Sequence, residues 1–382
     1  MNAWEKDLVI YCKSGLEAEK FLFENLNIKN EIKFCMGSFN RGDFHGIPIY
    51  SLDDVSYISK YRILVVGGEK EIYETLKQNL LERGLKEFEN FIWAATYKKK
   101  LVCINANCHG MALAQYLKLS KNFCKDYIIY PVPNIHLNTE KKIANDLLKE
   151  VDVFIHQDIR VNNSIAYELS DEYCQKQLSP SCKDIVIPNL VGFGDWLYPN
   201  LAEVIKYDEK YNLVFRDKIL DQAYCDIGED RLKLYLDYYN GFSYSDAFLQ
   251  DLYKRVMGKL KEREKNWNVK IVSFIEDNFR EIPMFVDAGH PSRYLMIEIG
   301  RQVLELLNLE NDIDVSMYMS ELGMPTPLSM RVKDYWKIDY KKDMESRKSY
   351  MFTTEQEYDE DVYLRQYIME YVWWLYGIKL KE

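Results

Sequence analysis

Two short stretches carry residue types that could perform acyl chemistry together. The first is Asn107-Cys108-His109-Gly110, a turn between the apolar run 101–105 and an amphipathic stretch, so the Cys108 thiol sits where a strand gives way to a helix. Backbone N–H groups gather at such a corner, and the positive end of the helix favours the thiolate, which is the reactive form. The second is Asp287-Ala288-Gly289-His290, in a loop between a short apolar run and a further helix. A cysteine nucleophile needs a base within hydrogen-bond reach, and that base needs an orienting group. Among five histidines His290 is the best placed, with Asp287 three residues upstream. Gln157 closes a third apolar run between the two stretches. Its amide, or that of Asn107, could hold an oxyanion together with the backbone N–H groups of Cys108 and Gly110.

Two mechanisms fit these residues. Cys108 attacks an acyl donor and forms an acyl-enzyme that His290 helps discharge to an acceptor, or Cys108 only lines the pocket while His290 deprotonates the acceptor directly. His109 reads as a pocket-wall or substrate-binding residue. Structural roles also exist for each: Cys108 as a small residue at a helix start, His290 as a turn histidine bonded to Asp287. His45, His136 and His156 lack metal-ligand spacing, and no metal site is expected.

The elements that must position these groups follow from periodicity. Strands are predicted at 7–12, 32–36, 47–50 and 62–66, with helices at 15–25 and 69–83, giving a small Rossmann-like α/β domain over 1–96. The turn Cys12-Lys13-Ser14-Gly15 stands where a dinucleotide fold carries three glycines, and only Gly15 is present, so close approach to a pyrophosphate is not expected. Residues 97–382 form a second domain: strands at 101–105, 127–130, 151–155 and 183–188 alternate with helices at 109–119 and 139–150, the pattern of a buried parallel sheet. His156-Gln157-Asp158 falls at a strand's carboxyl end, where open α/β sheets bind ligands. Gly192 to Pro199 reads as an irregular aromatic loop, about 217–280 as a helical cap, 284–286 as a brief strand, and about 311–382 as an aromatic extension ending in a helix with Trp373 and Trp374. Ser292 is a candidate N-cap for a helix at 293–307.

The net charge of −10 argues against nucleic acid as the main partner. Eight cysteines without CxxC pairs fit reduced thiols better than a disulfide framework. No apolar run reaches the ~18 residues of a membrane span, and the first residues lack a signal-peptide pattern, so a soluble cytoplasmic protein is expected. The thirty tyrosines and seven tryptophans are read as ordinary core and surface aromatics rather than a sugar-binding surface.

Two resemblances add to this reading. Gly46-Ile47-Pro48-Ile49, followed by Ser51 to Asp54, resembles an element of Rossmann-like domains attached to nucleotide-sugar and polysaccharide-modifying enzymes. The Asp-x-x-His pair and the order of nucleophile, amide donor, Asp and His resemble SGNH hydrolases and acyltransferases. More specifically, Asn107 to Leu117, Val153 to Arg160, Ile187 to Pro199 and Phe285 to Ser292 resemble the WcbI family over about residues 100–310. Those are bacterial capsule-polysaccharide biosynthesis proteins regarded as acetyltransferases that bind coenzyme A. The resemblance implies an SGNH-like parallel-sheet catalytic domain and acyl transfer from acetyl-CoA to a sugar or polysaccharide hydroxyl. It retains the cysteine and the His290-Pro291 pair, but places His109 where family members carry glutamine. Arg160, Arg293 and Ser292 are then candidates for coenzyme A. An esterase or thioesterase using the same residues, and a glycan-assembly scaffold binding a nucleotide-sugar near Cys12 to Gly15 or Asp53, are the rival expectations. The chain could also form a homo-oligomer.

Overall fold

In a computed structural model the described residues are 7–24, 30–37, 42–44, 46–67, 70–97, 99–161, 165–206, 214–318, 326–340 and 360–381. Contacts divide the chain into two compact units. One comprises Met1–Asn105, Phe123–Ile155 and Ile159–Asp184; the other comprises Ala106–Asn122, His156–Asp158 and Ile185–Glu382.

The first unit opens with β1 (Leu8–Cys12), α1 (Gly15–Glu24), β2 (Ile32–Met36), β3 (Gly42–Phe44), β4 (Ile47–Tyr50), β5 (Arg62–Val66), α2 (Lys70–Leu81) and β6 (Phe91–Trp93). The strand order is β3-β4-β2-β1-β5-β6, parallel except for β3 against β4. β1 is buried along its whole length because its alternate residues enter two cores. Leu8, Ile10 and Cys12 pack with Ala18, Phe21 and Leu22 of α1. Val9 and Tyr11 share the opposite face with Tyr73, Leu76 and Leu80 of α2. β3 and β6 escape the sequence reading, since each has three residues, too few to show a period.

A second sheet has the order β10-β9-β7-β8, from β7 (Lys100–Asn105), β8 (Tyr127–Tyr130), β9 (Val153–Gln157) and β10 (Lys183–Ile187). α3 (Cys108–Leu117), α4 (Lys121–Asp126), α5 (Asn145–Glu150) and α6 (Asp171–Gln177) occupy the connections. β7 and β8 are parallel, with Val102 opposite Ile129. Two boundaries differ from expectation. α5 starts at Asn145 rather than 139, because Asn134 takes the N–H groups of His136 (2.8 Å) and Leu137 (3.2 Å) in a turn and Lys141 has a positive φ of 53°. β9 starts at Val153 rather than 151, because Val151 closes α5 and the Asp152 carboxylate accepts the Leu101 N–H at 2.7 Å. His156 and Gln157 consequently lie inside the strand and are buried.

The second unit contains the hairpin β11 (Leu201–Lys206) and β12 (Val214–Asp217), then α7 (Lys218–Ile227), α8 (Leu232–Gly241), α9 (Asp246–Glu264), α10 (Val272–Asn278), α11 (Arg293–Leu306), α12 (Met330–Trp336) and α13 (Glu360–Tyr376). The expected helical cap corresponds to α7 through α10. The expected strand at 284–286 is reduced to a single bridge between Phe285 and Pro291. α13 packs on α7 and α8 through Tyr367, Ile368, Tyr371 and Val372, while Trp373 is exposed. Asp217 anchors this group: one oxygen caps α7 through the N–H groups of Ile219 (2.9 Å) and Leu220 (3.2 Å), and the other accepts from Asn200 (2.8 Å) and the Tyr367 hydroxyl (3.1 Å). Burial nonetheless pushes its pKa up from 3.8 to about 6. The irregular aromatic loop at 192–199 enters the core: Trp196 is buried edge-on against Tyr253, Phe279 and Trp336.

One helix contact matters for the site. α3 and α11 approach so closely at Gly300 that a Cβ there would stand 2.1 Å from the Tyr116 ring. Tyr318 braces the same ring edge-on at 5.3 Å and donates its hydroxyl proton to the Ala112 carbonyl at 3.1 Å. No helix among the described residues is long and apolar enough to cross a membrane. His45 and residues 355–359 of the acidic stretch 355–361, which the sequence marks as a surface run, lie outside the described residues.

Candidate active site

α3 begins at Cys108 because Asn107 caps it: the Asn107 side-chain oxygen accepts the His109 N–H at 2.9 Å, and its backbone is extended. The Gly110 N–H turns back to the Asn107 carbonyl at 2.9 Å. The Asn107 N–H donates to Gln157 Oε1 at 3.1 Å. Of the backbone N–H groups at this corner, only that of Cys108 has no acceptor among the described residues. The expectation that Gly110 donates to an oxyanion is therefore corrected: its N–H already closes the first turn. Asn107 keeps its side-chain NH2 without a protein acceptor among those residues, and the Cys108 thiol is partly exposed.

Gln157, fully buried at the end of β9, was the other candidate donor, and its amide is spent. Nε2 donates to the Pro188 carbonyl at 3.0 Å and lies 3.2 Å from His109 Nδ1. Both N–H bonds and the oxygen are thus committed within the protein, so Gln157 has nothing left to offer an oxyanion. The role expected for it from the sequence is corrected accordingly.

The candidate base, His290, lies in the loop before α11. Val286 N–H bonds to the His290 carbonyl (3.0 Å) and Ser292 N–H to the Met284 carbonyl (2.9 Å), folding 284–292 back on itself. Within it Asp287 Oδ1 accepts the N–H groups of Gly289 (2.7 Å) and His290 (2.8 Å), while Oδ2 lies 2.8 Å from His290 Nδ1. The Tyr198 hydroxyl fixes the loop from below through the Phe285 carbonyl at 2.9 Å. Gly194 fits beneath it for a steric reason, since a Cβ there would meet the Asp287 carbonyl oxygen at 2.3 Å.

His290 is 5% exposed. Burial alone would lower its pKa. Interaction with the Asp287 carboxylate and, after it, with Cys108 outweighs burial and pushes the value up to about 10. With Nδ1 committed to Asp287, Nε2 is the ring nitrogen left for a second partner. His290 therefore stands between two interacting groups, hydrogen-bonded to Asp287 and electrostatically coupled to Cys108, the three brought together across 182 residues by the α3–α11 contact. His109 lies beside it, its ring centroid 6.3 Å from that of His290.

The remaining candidates are placed differently. Ser292 is buried and spent as the cap of α11, accepting the Leu295 N–H at 3.4 Å. Arg293 opens the same helix and donates one N–H to the Val315 carbonyl at 3.1 Å. Arg160 is exposed and belongs to the first unit. Phe215, on β12, escapes the sequence reading: its ring lies edge-on to His290 with centroids 6.3 Å apart and walls the imidazole from that side. No signal beyond a short apolar run marked it. No group of three or more His, Cys, Asp or Glu among the described residues could hold a metal ion.

In the first unit, a cleft of about 770 Å³ at the carboxyl ends of β1, β2 and β4 is lined by Lys13, Asp53 and Arg83 among others. The Glu17 carboxylate accepts the N–H groups of Lys13 (3.2 Å) and Ser14 (3.1 Å), so a side chain already holds the amides a phosphate would use. Asp53 is paired with Arg83.

A family model described as the polysaccharide biosynthesis enzyme WcbI matches residues 101–312. No curated protein matches the chain. A solved structure of WcbI, described as a novel polysaccharide biosynthesis enzyme in its native form without a disulfide bond between coenzyme A and a cysteine, shares 15% identity and a TM-score of 0.51, over 70% of this chain and 89% of that one. At that identity the likeness speaks for the fold. The family match spans more than half of the chain and includes Cys108, Gln157, Asp287 and His290; the chain belongs to the WcbI family of polysaccharide biosynthesis enzymes.

Proposed function

We propose that the protein transfers an acyl group, acetyl in the simplest case, from a coenzyme A thioester to a sugar hydroxyl of a polysaccharide precursor. The observation that carries this reading is the Cys108–His290–Asp287 line, with a partly exposed thiol at a helix N-terminus and a base oriented by a buried carboxylate. Family membership supplies the polysaccharide context, and coenzyme A in the related WcbI structure supports the donor. An SGNH-like arrangement is part of the same proposal, as is Arg293 meeting the coenzyme A phosphates.

The Cys108 sulfur, its proton passed to His290 Nε2, attacks the thioester carbonyl carbon. The Cys108 N–H and the Asn107 NH2 are donors available to the oxyanion. Collapse breaks the bond to the coenzyme A sulfur, which leaves with the proton from His290. Acylation also ends the interaction with Cys108 that helps raise the His290 pKa, so His290 becomes a better proton donor at the moment the leaving thiolate needs one. His290 then takes the proton of the sugar hydroxyl, whose oxygen attacks the acyl-cysteine and expels the Cys108 thiolate.

The test is free coenzyme A thiol followed after mixing with acetyl-CoA. A burst of about one equivalent, absent in Cys108→Ala and accelerated into turnover by a glycan acceptor, is expected. Steady release without any acceptor would replace transfer by hydrolysis, and no release with or without acceptor would reject the reading.

A further inference from the structure

We infer that Gln157 is a positioning residue that fixes His109 as the neutral imidazole tautomer with its proton on Nε2, making His109 rather than Gln157 the side chain that can donate a hydrogen bond to the substrate.

The chain of assignments starts from groups whose roles cannot change. A backbone N–H only donates, so the Gln157 atom 3.1 Å from the Asn107 N–H must be the oxygen. A carbonyl only accepts, so the atom 3.0 Å from the Pro188 oxygen must be the nitrogen. These two contacts orient the amide without reference to His109. The second hydrogen of that nitrogen then points to His109 Nδ1 at 3.2 Å, which has to offer a lone pair. Protonating Nδ1 would set N–H against N–H in a fully buried pocket. The proton of the neutral ring consequently belongs on Nε2.

The arrangement explains two features together. Gln157 is buried with all its capacity used, which is wasteful for a substrate donor but suited to a residue that acts through another. His109 follows the nucleophile directly, with its own N–H held by the Asn107 cap, so its ring is fixed from both ends. An imidazole locked in this way carries its donor on Nε2, a buried atom of a ring whose centroid is 6.3 Å from that of His290. That use rests on the acyl-transfer reading; the position of the proton does not.

The first readout is the tautomer, from long-range proton–nitrogen correlation NMR of the full-length protein with labelled histidine, His109 being assigned by its loss in His109→Gln. The expected result is a neutral His109 carrying its proton on Nε2 at pH 7, replaced by protonation at Nδ1 in Gln157→Glu, whose carboxylate would accept there. A proton on Nδ1 of wild-type His109 would overturn the inference. The second readout is the acylation rate with acetyl-CoA. His109→Leu should lose about 10²-fold or more in rate with little change in KM, and His109→Gln, which keeps an N–H, should recover most of it. A wild-type rate in folded His109→Leu would overturn the donor role. Wild-type protein with the expected tautomer and no acylation would count against acyl transfer and leave the tautomer assignment standing.

Discussion

Replacing Asp287 by Asn keeps the shape of the side chain and removes its charge. The carboxamide oxygen can still accept the Gly289 and His290 N–H groups, at 2.7 and 2.8 Å, so the loop has a means of staying folded. The group 2.8 Å from His290 Nδ1 becomes an NH2, which can only face a ring nitrogen that has given up its proton. In the native site the rise of His290 from 6.5 to about 10 corresponds to roughly 5 kcal/mol of net preference for the imidazolium, at about 1.4 kcal/mol per tenfold. A raised value in the folded state stabilises the protein fully below the ordinary pKa of 6.5, and that stabilisation is lost as the pH climbs through about 10. About 4 kcal/mol of it is in force at pH 7. Asp287 is the larger of the two favourable partners, so Asp287→Asn should lower the unfolding free energy at pH 7 by about 2 kcal/mol or more and bring the His290 titration back toward 6.5 or below. The wrong tautomer should also slow acylation strongly; the corresponding change in a serine-protease triad costs about 10⁴. Histidine NMR titration of wild type and variant, with urea unfolding at pH 7 and pH 9.5, reads all of this. A His290 that still titrates above pH 9 without Asp287 would refute the electrostatic account of the base.

Other perturbations have opposite signs at similar residues. Gly194→Ala places a methyl 2.3 Å from the Asp287 carbonyl oxygen and should cost about 1–3 kcal/mol together with most of the acylation rate, read by unfolding and a thiol-release assay. Gly258→Ala, exposed within α9 with nothing within 4 Å of the new methyl, should instead stabilise by about 0.5–1 kcal/mol, visible as a raised Tm. Gly300→Ala drives into the Tyr116 ring and should separate α3, which begins at Cys108, from α11, whose preceding loop holds His290, with loss of acylation exceeding loss of stability. Asp217, whose pKa is raised from 3.8 to about 6, stabilises the fold most below pH 3.8 relative to an ordinary aspartate, and loses up to about 3 kcal/mol as pH rises through 6. Urea unfolding at pH 4.5 and 7 should show that contribution flattened in Asp217→Asn.

Much of the scaffold was legible because its signals are local. β1 and β5 each read as a short apolar run, and the continuous burial follows from helices on both faces. The corner at Cys108 was legible from a strand run, an Asn cap and a helix, and the Asp287–His290 spacing from a loop ahead of a capped helix. What the sequence could not express is which polar groups were already used. Gln157 looks like a donor until Pro188, 31 residues on, is found holding one of its protons. Gly110 looks available until its N–H is found on the Asn107 carbonyl. Phe215 and Gly194 reach the base from a hairpin and a loop whose own sequence has no period to point there. The Glu17 side chain over the first turn, by contrast, was written in the chain as a Ser-x-x-Glu capping box and simply went unread.

The most direct measurement is peptide mass spectrometry of the protein quenched shortly after mixing with acetyl-CoA. Acyl transfer through this site places an acetyl group on the peptide containing Cys108, absent in Cys108→Ala, slow to form in His290→Ala, and discharged from the wild type when a glycan acceptor is added. An unmodified Cys108 peptide while coenzyme A is being released would contradict the nucleophile assignment at the centre of the mechanism.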